Sequence, residues 1–258
     1  MARATHGEAR GDHVTIRVRF FGSGNAFADG GRSHACIHLT APGVSLLLDC
    51  GGSALPAIRK ASAEDTIDAI AVSHLHGDHF GGIPYLVIQQ HFAGRDRPLS
   101  IAGPRELAAR LRGAEQSLYP DFFGKSGQPR FDVPVVTLGP NDVALGGAQV
   151  SALPVRHIAA SDPHGIRVRI GGTLIAYSGD ATWSEHLARV ADGADLFICE
   201  ATQWDLEDPS HISYRTLMSK RSELRCKRIV LTHLGANTLA HLREIEVEYA
   251  VDGAELEL

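Results

Sequence analysis

The chain has no apolar leader, no membrane-length apolar run, no Cys-x-x-Cys pair, no Pro/Ser-rich linker and no excess of basic charge. Each absence excludes something. Met1 to Asp12 is polar throughout, so neither a signal peptide nor a membrane span is visible, and the expected place of work is the cytoplasm with no membrane partner. Cys36, Cys50, Cys199 and Cys226 are widely spaced, which fits reduced cytosolic thiols rather than a disulfide framework. A formal net charge of −5 argues against the basic footprint of a protein built around nucleic acid, although charge can be segregated on one face. With no linker, 258 residues of ordinary balance, 44% hydrophobic and 21% charged, read as a polar tail over residues 1–12 and one domain over 13–258.

What the chain has in excess is histidine: 14 of them, about twice what ordinary residue usage gives at this length. Their placement relative to the secondary structure decides what they mean. Val14 to Gly22 alternates apolar and basic residues and ends in a Gly22-Ser23-Gly24 turn, too short for a phosphate loop. Val44 to Asp49 and Ile67 to Ser73 are short apolar runs, as expected of strands buried on both faces. Further strands are expected over Val133 to Thr137, Gln149 to Pro154, Gly165 to Ile170, Thr173 to Ser178, Leu196 to Cys199, Arg228 to Thr232 and Glu246 to Val251. Helices are expected over Ala54 to Ala63, Pro104 to Leu118, Trp183 to Ala191 and Ser213 to Leu224. This order mixes hairpin pairs with strand–helix–strand units, so sheets covered by helices on their outer faces account for it. A short internal echo, Leu46-Leu47-Leu48-Asp49 against Leu174-Ile175-Ala176-Tyr177 with Gly179-Asp180, hints at two similar halves.

The second apolar run stops at Ser73-His74-Leu75-His76-Gly77-Asp78-His79. Histidines two apart on an extended segment point the same way, so His74 and His76 can grip one ion. Gly77 lets the chain turn, and Asp78 and His79 then project towards a second position. Imidazole with carboxylate suits zinc, manganese or iron. Three more candidates follow strands: His157, Asp180 within Ser178-Gly179-Asp180, and His233 within Thr232-His233. Taken singly, each is more often structural. As a set with the first motif, they read as ligands.

That string resembles the His-x-His-x-Asp-His signature of the metallo-β-lactamase-fold hydrolases, with the later ligands in that superfamily's order. The resemblance runs from Phe20-Phe21-Gly22-Ser23-Gly24 to Ala250-Val251-Asp252-Gly253. It implies an α/β fold, a four-layer αββα sandwich of two mixed sheets flanked by helices, with metals at one edge. It also implies that His74, His76 and His157 hold one ion, that Asp78, His79 and His233 hold another, and that Asp180 bridges both. Two divalent ions are the implied cofactors, zinc first, with manganese or iron as alternatives.

Two further stretches narrow the branch. Cys199-Glu200-Ala201-Thr202 and His211-Ile212-Ser213 resemble segments of ribonuclease Z and its phosphodiesterase relatives, which implies that Glu200 orients His211 and that His211 steadies phosphate charge or protonates the leaving oxygen. A histidine paired with a carboxylate suits that task near neutral pH. The expected reaction is attack by a metal-bound hydroxide on a small phosphodiester such as a cyclic nucleotide or cyclic phosphate, with Asp78 orienting it and two ions roughly 3.5–4 Å apart clamping the phosphoryl group. The runner-up is tRNA 3′-end processing of the ribonuclease Z type, with nucleic acid as partner. No tRNA-gripping arm fits between His157 and Asp180, and Asp96, Glu106, Glu115 and Asp121 dilute the basic residues of 92–130.

A thioester or lactone hydrolase of the same fold stays a further alternative, although His157 follows Leu153-Pro154-Val155-Arg156 rather than a Pro-Gly-His-Thr-like turn. A secreted β-lactamase, an oxygen-reducing di-iron protein and a ligand-poor scaffold fit less well, and the resemblance leaves a homodimer open. His34, His38, His91, His164, His186 and His241 are expected to be surface or core residues, with His34 and His164 near site-forming loops. Trp183 and Trp204 are expected to pack rather than stack on a base.

Overall fold

The computed structural model describes residues 14–123 and 129–258, so the tail expected over 1–12 lies outside the described residues. Strands β1 (Arg17–Gly22), β2 (Cys36–Ala41), β3 (Val44–Leu48), β4 (Ala69–Ala71), β5 (Ser100–Gly103) and β6 (Val135–Thr137) form one sheet. Strands β7 (Val143–Leu145), β8 (Ala148–Pro154), β9 (His164–Ile170), β10 (Thr173–Tyr177), β11 (Leu196–Glu200), β12 (Arg228–Thr232) and β13 (Glu248–Tyr249) form the other, and β14 (Glu255–Glu257) returns to pair with β1. The helices are α1 (Ala54–Lys60), α2 (Gly77–Phe80), α3 (Ile83–Phe92), α4 (Leu107–Leu118), α5 (Pro120–Phe123), α6 (Glu185–Ala191), α7 (Tyr214–Ser219) and α8 (Ala236–Leu239).

The apolar runs are continuous because both faces of each sheet are covered. In β3, Leu46 and Leu48 face the opposite sheet, while Leu47 packs outward with Ile58 of α1 and Leu86 of α3. In β11, Leu196 and Ile198 point inward, while Phe197 and Cys199 meet Leu187 of α6 and Leu217 of α7. Three apolar layers therefore separate four structural layers, α, β, β and α. Ser184 and Ser213 start α6 and α7 by accepting from the amides of Leu187 and Thr216. Helix α7 ends sooner than the expected Leu224. The Ser219 hydroxyl turns back onto the Thr216 carbonyl, and a tight turn over Arg221–Glu223 replaces the last helical turn.

Strand β2 escapes a pattern reading because His38 interrupts it. The His38 ring is nevertheless buried, bonded to Ser45 Oγ at 2.9 Å and stacked on Phe21. Burial first and the charge of Arg19 second push it down to about 4, so it stays neutral.

The internal echo has a topological meaning. Strand β3 pairs antiparallel with β2 and parallel with β4. Strand β10 pairs antiparallel with β9 and parallel with β11. Each echo strand is thus the one at which its sheet switches direction, and chains diverging from such a point leave a crevice for ligands. Asp49 and Asp180 both lie just past these strands. Among the described residues, no helix is long and apolar enough to cross a membrane.

Candidate metal centre

His74 follows β4 and is fully buried; His76 is still extended, and the chain then folds into α2, which carries Asp78 and His79. This short helix lies close to the 50–52 turn, with Cys50 N donating to His79 O at 2.7 Å. Gly51 permits the approach, since a Cβ there would sit 2.1 Å from Asp78 O. Gly179, at φ 58°, turns the chain so that Asp180 enters the same space. His157 arrives from the end of β8 and His233 from the end of β12. His233 sits at φ 57°, a left-handed conformation costing about 1–2 kcal/mol without glycine, and its amide donates to Ser23 O at 2.9 Å.

These seven side chains meet in two adjoining groups. In the first, His76 Nδ1 lies 3.1 Å from His74 Nε2 and 3.2 Å from His157 Nε2. Asp180 Oδ2 closes it at 3.7 Å from His74 and 4.0 Å from His157. In the second, His79 Nε2 lies 3.3 Å from Asp78 Oδ2 and 3.2 Å from Asp180 Oδ1. His233 Nε2 lies 3.3 and 3.4 Å from the same two oxygens. Asp180 therefore offers one oxygen to each group.

The outer atoms of the rings decide which atoms face inward. His79 Nδ1 contacts Asp49 Oδ2 at 2.7 Å, and His157 Nδ1 contacts Ser210 O at 2.6 Å. Because both partners only accept, each ring donates from Nδ1 and points an Nε2 lone pair into the group, when neutral. His233 Nδ1 lies 2.9 Å from Thr202 Oγ1, which donates its own proton to Glu200 Oε2 at 2.7 Å. Ser73 Oγ likewise donates to Asp49 and sits 3.1 Å from His74 Nδ1. Nitrogen lone pairs and carboxylate oxygens thus converge with no donor between them. Asp180 Oδ1 and His79 Nε2 are buried with no hydrogen-bond partner among the described residues. Such an array of acceptors fits a cation in each group, and the mix of imidazole and carboxylate fits a divalent transition metal.

The electrostatics agree. Burial alone would raise the Asp78 carboxyl, but the charge of His79 beside it, with His233 on its other side, holds it well below the usual range. Burial would lower His79, yet Asp180, Asp49 and Asp78 together hold it well above the ordinary value. Without an ion, a proton on His79 takes the place of positive charge that the carboxylates demand.

The sequence missed Asp49. It is fully buried at φ 59° and accepts from His79 Nδ1, Ser73 N, Ser73 Oγ and Tyr177 Oη at 2.7–2.9 Å. Its place in the echo, opposite Asp180, was the available signal. An amide nitrogen at either oxygen position would face a donor, so Asp49→Asn is expected to weaken ion binding about 10–100-fold, measured by chelator competition. Native affinity in the variant would remove Asp49 from the centre.

Glu200 and His211 stand beside the two groups. Glu200 is fully buried; its Oε1 accepts from Ala181 N at 2.8 Å and His211 Nδ1 at 2.9 Å, and its Oε2 from Thr202 N and Oγ1. The His211 side chain is 20% exposed and its Nδ1 lies 4.0 Å from Asp180 Oδ2. Burial works against its protonation, but the charge and hydrogen bond of Glu200 prevail and lift it to about 9. The remaining sequence candidates stay outside the groups. His241 and Tyr214 sandwich Trp204 at 4.6 and 4.7 Å, and Trp183 lies under Lys220. His91 accepts from Arg130 N, His186 is exposed, and His164 contacts Asp162 O. His34 packs beside Gly51 and Gly52 with a buried Nδ1 that has no partner.

The family model of the anti-Pycsar protein Apyc1 matches residues 16–250. The chain belongs to that family. It is similar to ribonuclease Z of Methanothermobacter thermautotrophicus, 27% identical over 85% of this chain and 86% of that one. Among solved structures, it is similar to the metallo-β-lactamase-fold protein YhfI of Bacillus subtilis, with a TM-score of 0.74, 20% identity and coverage of 95% and 100%. Human tRNase Z, short form, is similar with a TM-score of 0.73, 25% identity and coverage of 93% and 98%. The fold is the metallo-β-lactamase fold, and with the His/Asp cluster in place the family member is a metal-dependent hydrolase.

Proposed function

We propose that the chain is a dinuclear metal-dependent phosphodiesterase acting on a small phosphodiester, a cyclic nucleotide or a cyclic phosphate. The observation that carries this reading is the Glu200–His211 pair, a charged acid standing 4.0 Å from the carboxylate shared by both ligand groups. His74, His76 and His157 would hold one ion, Asp78, His79 and His233 the other, and Asp180 both. When bound, two divalent ions, zinc before manganese or iron, supply an acidified water and neutralise charge on the phosphoryl oxygens.

The chain's own residues do the rest. Asp78, kept ionised, accepts a hydrogen bond from the attacking water and so orients it. His211, kept protonated by Glu200, gives its proton to the leaving oxygen as the phosphorus–oxygen bond breaks. Glu200 has every oxygen engaged, so it stays a charged anchor rather than a competing base. In this reading residues 13–258 act as one catalytic domain in the cytoplasm, with a homodimer left open.

The second reading is tRNA 3′-end processing, favoured by the relatives named ribonuclease Z. Against it stand the net charge of −5 and the short β8–β9 connection, from Pro154 to His164, which leaves no room for a long arm. Metal-loaded protein is expected to hydrolyse bis(p-nitrophenyl) phosphate and to cleave a thioester poorly, with Asp78→Ala abolishing the diester activity. Cyclic nucleotides or cyclic phosphates should then outcompete tRNA precursors. Efficient thioester cleavage with an inert diester would sink the phosphodiesterase reading, and trimming of tRNA precursors in preference to cyclic diesters would favour the second.

A further inference from the structure

The loop between β11 and α7 carries His211; backbone bonds such as Tyr214 N to Gln203 O join its two arms, and the turn that leads into His211 is folded on one carboxylate that no sequence motif marks. Asp208 Oδ1 accepts from Ser210 N at 2.7 Å, Ser210 Oγ at 2.6 Å and His211 N at 3.3 Å. Its other oxygen accepts from Gln203 Nε2 at 3.1 Å, and Gln203 Oε1 is in turn held by Asn237 Nδ2 at 2.8 Å. The loop is thereby folded over a single acceptor and tied back to α8.

The consequence reaches the ligand groups by two routes. The Ser210 carbonyl, set by the bonds of Ser210 to Asp208, receives Nδ1 of His157 at 2.6 Å. That bond fixes the His157 tautomer and turns Nε2 towards His76 and Asp180. The next residue, His211, has its amide on the same Asp208 oxygen and its ring on Glu200. A carboxylate accepting three donors at one oxygen does this better than water, which would leave the loop free to sample other turns.

We propose that Asp208 is a positioning residue that simultaneously sets the inward-facing tautomer of His157 and the placement of His211, coupling one ligand group to the acid beside it. It touches neither an ion nor the reacting atoms. The proposal rests on the reading of His157 as a ligand and His211 as the acid.

The test compares the full-length wild type with Asp208→Ala and Asp208→Asn, first metal-free and then titrated with Co2+. Nitrogen-15 imidazole spectra of the metal-free wild type should show His157 protonated at Nδ1. In Asp208→Ala the His157 signals should move towards tautomer averaging and the His211 signals should shift as its ring loses its fixed place, while those of His79 and His233, held by Asp49 and Thr202, stay put. One Co2+ equivalent should weaken by about tenfold or more with the other unchanged, and kcat for a diester should fall more than KM rises. Asp208→Asn keeps a carbonyl oxygen for the Ser210 donors but sets its amide nitrogen against Gln203 Nε2, so both readouts should recover in part.

An Asp208→Ala protein with wild-type His157 signals and two wild-type Co2+ affinities would overturn the proposal. So would uniform weakening of both equivalents with a lower melting temperature of the metal-free protein, which marks a merely structural loop residue. An Asp208→Asn protein whose His157 signals recover no further than those of Asp208→Ala would overturn it as well. If the wild type hydrolyses no diester, the functional reading falls, yet the metal-free spectra and Co2+ titrations still judge Asp208.

Discussion

Asp180→Ala is expected to eliminate diester hydrolysis and to strip the protein of bound ions on dialysis. The loss should exceed the roughly 10–100-fold that removal of an outer hydrogen-bond partner costs, because Asp180 offers Oδ2 to the three-histidine group and Oδ1 to the other. No neighbour can replace it. Asp78 reaches only the second group, and Glu200 has both oxygens committed to Ala181, His211 and Thr202. The measurements are metal content after dialysis and kcat on bis(p-nitrophenyl) phosphate. A variant that retained two ions and activity within tenfold of wild type would show that Asp180 is not shared between the groups.

The second large effect concerns the acid. Glu200→Gln is expected to lower kcat about a hundredfold, the usual scale for loss of a positioned general acid, and to move the alkaline limb of the pH profile downward. In the metal-free wild type burial works to lower His211, yet the charge and hydrogen bond of Glu200, with the charges of Asp180 and Asp208, hold it up to about 9 against an ordinary value of 6.5. Without the charge of Glu200, burial is left as the leading influence and the His211 proton departs at lower pH. The defect should therefore be worse at pH 8 than at pH 6.

The sign for stability follows the same shift. A histidine raised on folding contributes fully below its unfolded value, near 6.5, and its contribution is lost as pH rises through about 9. Melting of the metal-free wild type should show this decline between those limits, and Glu200→Gln should lack it. An unmoved alkaline limb in the variant would mean that His211 is not the proton donor.

Much of the fold was legible because buried strands announce themselves. The runs 46–48, 196–199 and 229–231 are apolar throughout, the usual composition of a strand covered on both sides. Strand β2 was hidden by His38, a polar residue that the hairpin partner Ser45 makes compatible with burial. Strand β14, with Glu255 and Glu257 exposed, exists because β1 supplies its hydrogen bonds, not because of its own pattern. The end of α7 depended on a hydroxyl turning onto its own helix, a choice that periodicity cannot express.

The sequence by itself singled out the candidate inner ring of the centre. Metal ligands need particular side-chain chemistries at strand ends, so His74, His76, Asp78, His79, His157, Asp180 and His233 could be picked out as a set, and the structure brings all seven together. What only the tertiary structure decided is the outer ring: Asp49, Thr202 and the Ser210 carbonyl, which stand behind the rings of His79, His233 and His157. These partners are ordinary polar residues, one of them acting through a backbone carbonyl, and each lies under 3 Å from a ring at least 30 residues away in sequence. Ligand identity is a property of the side chain and can be read along the chain. Ligand orientation is a property of what the fold places behind it, and appears only once the sheets have closed.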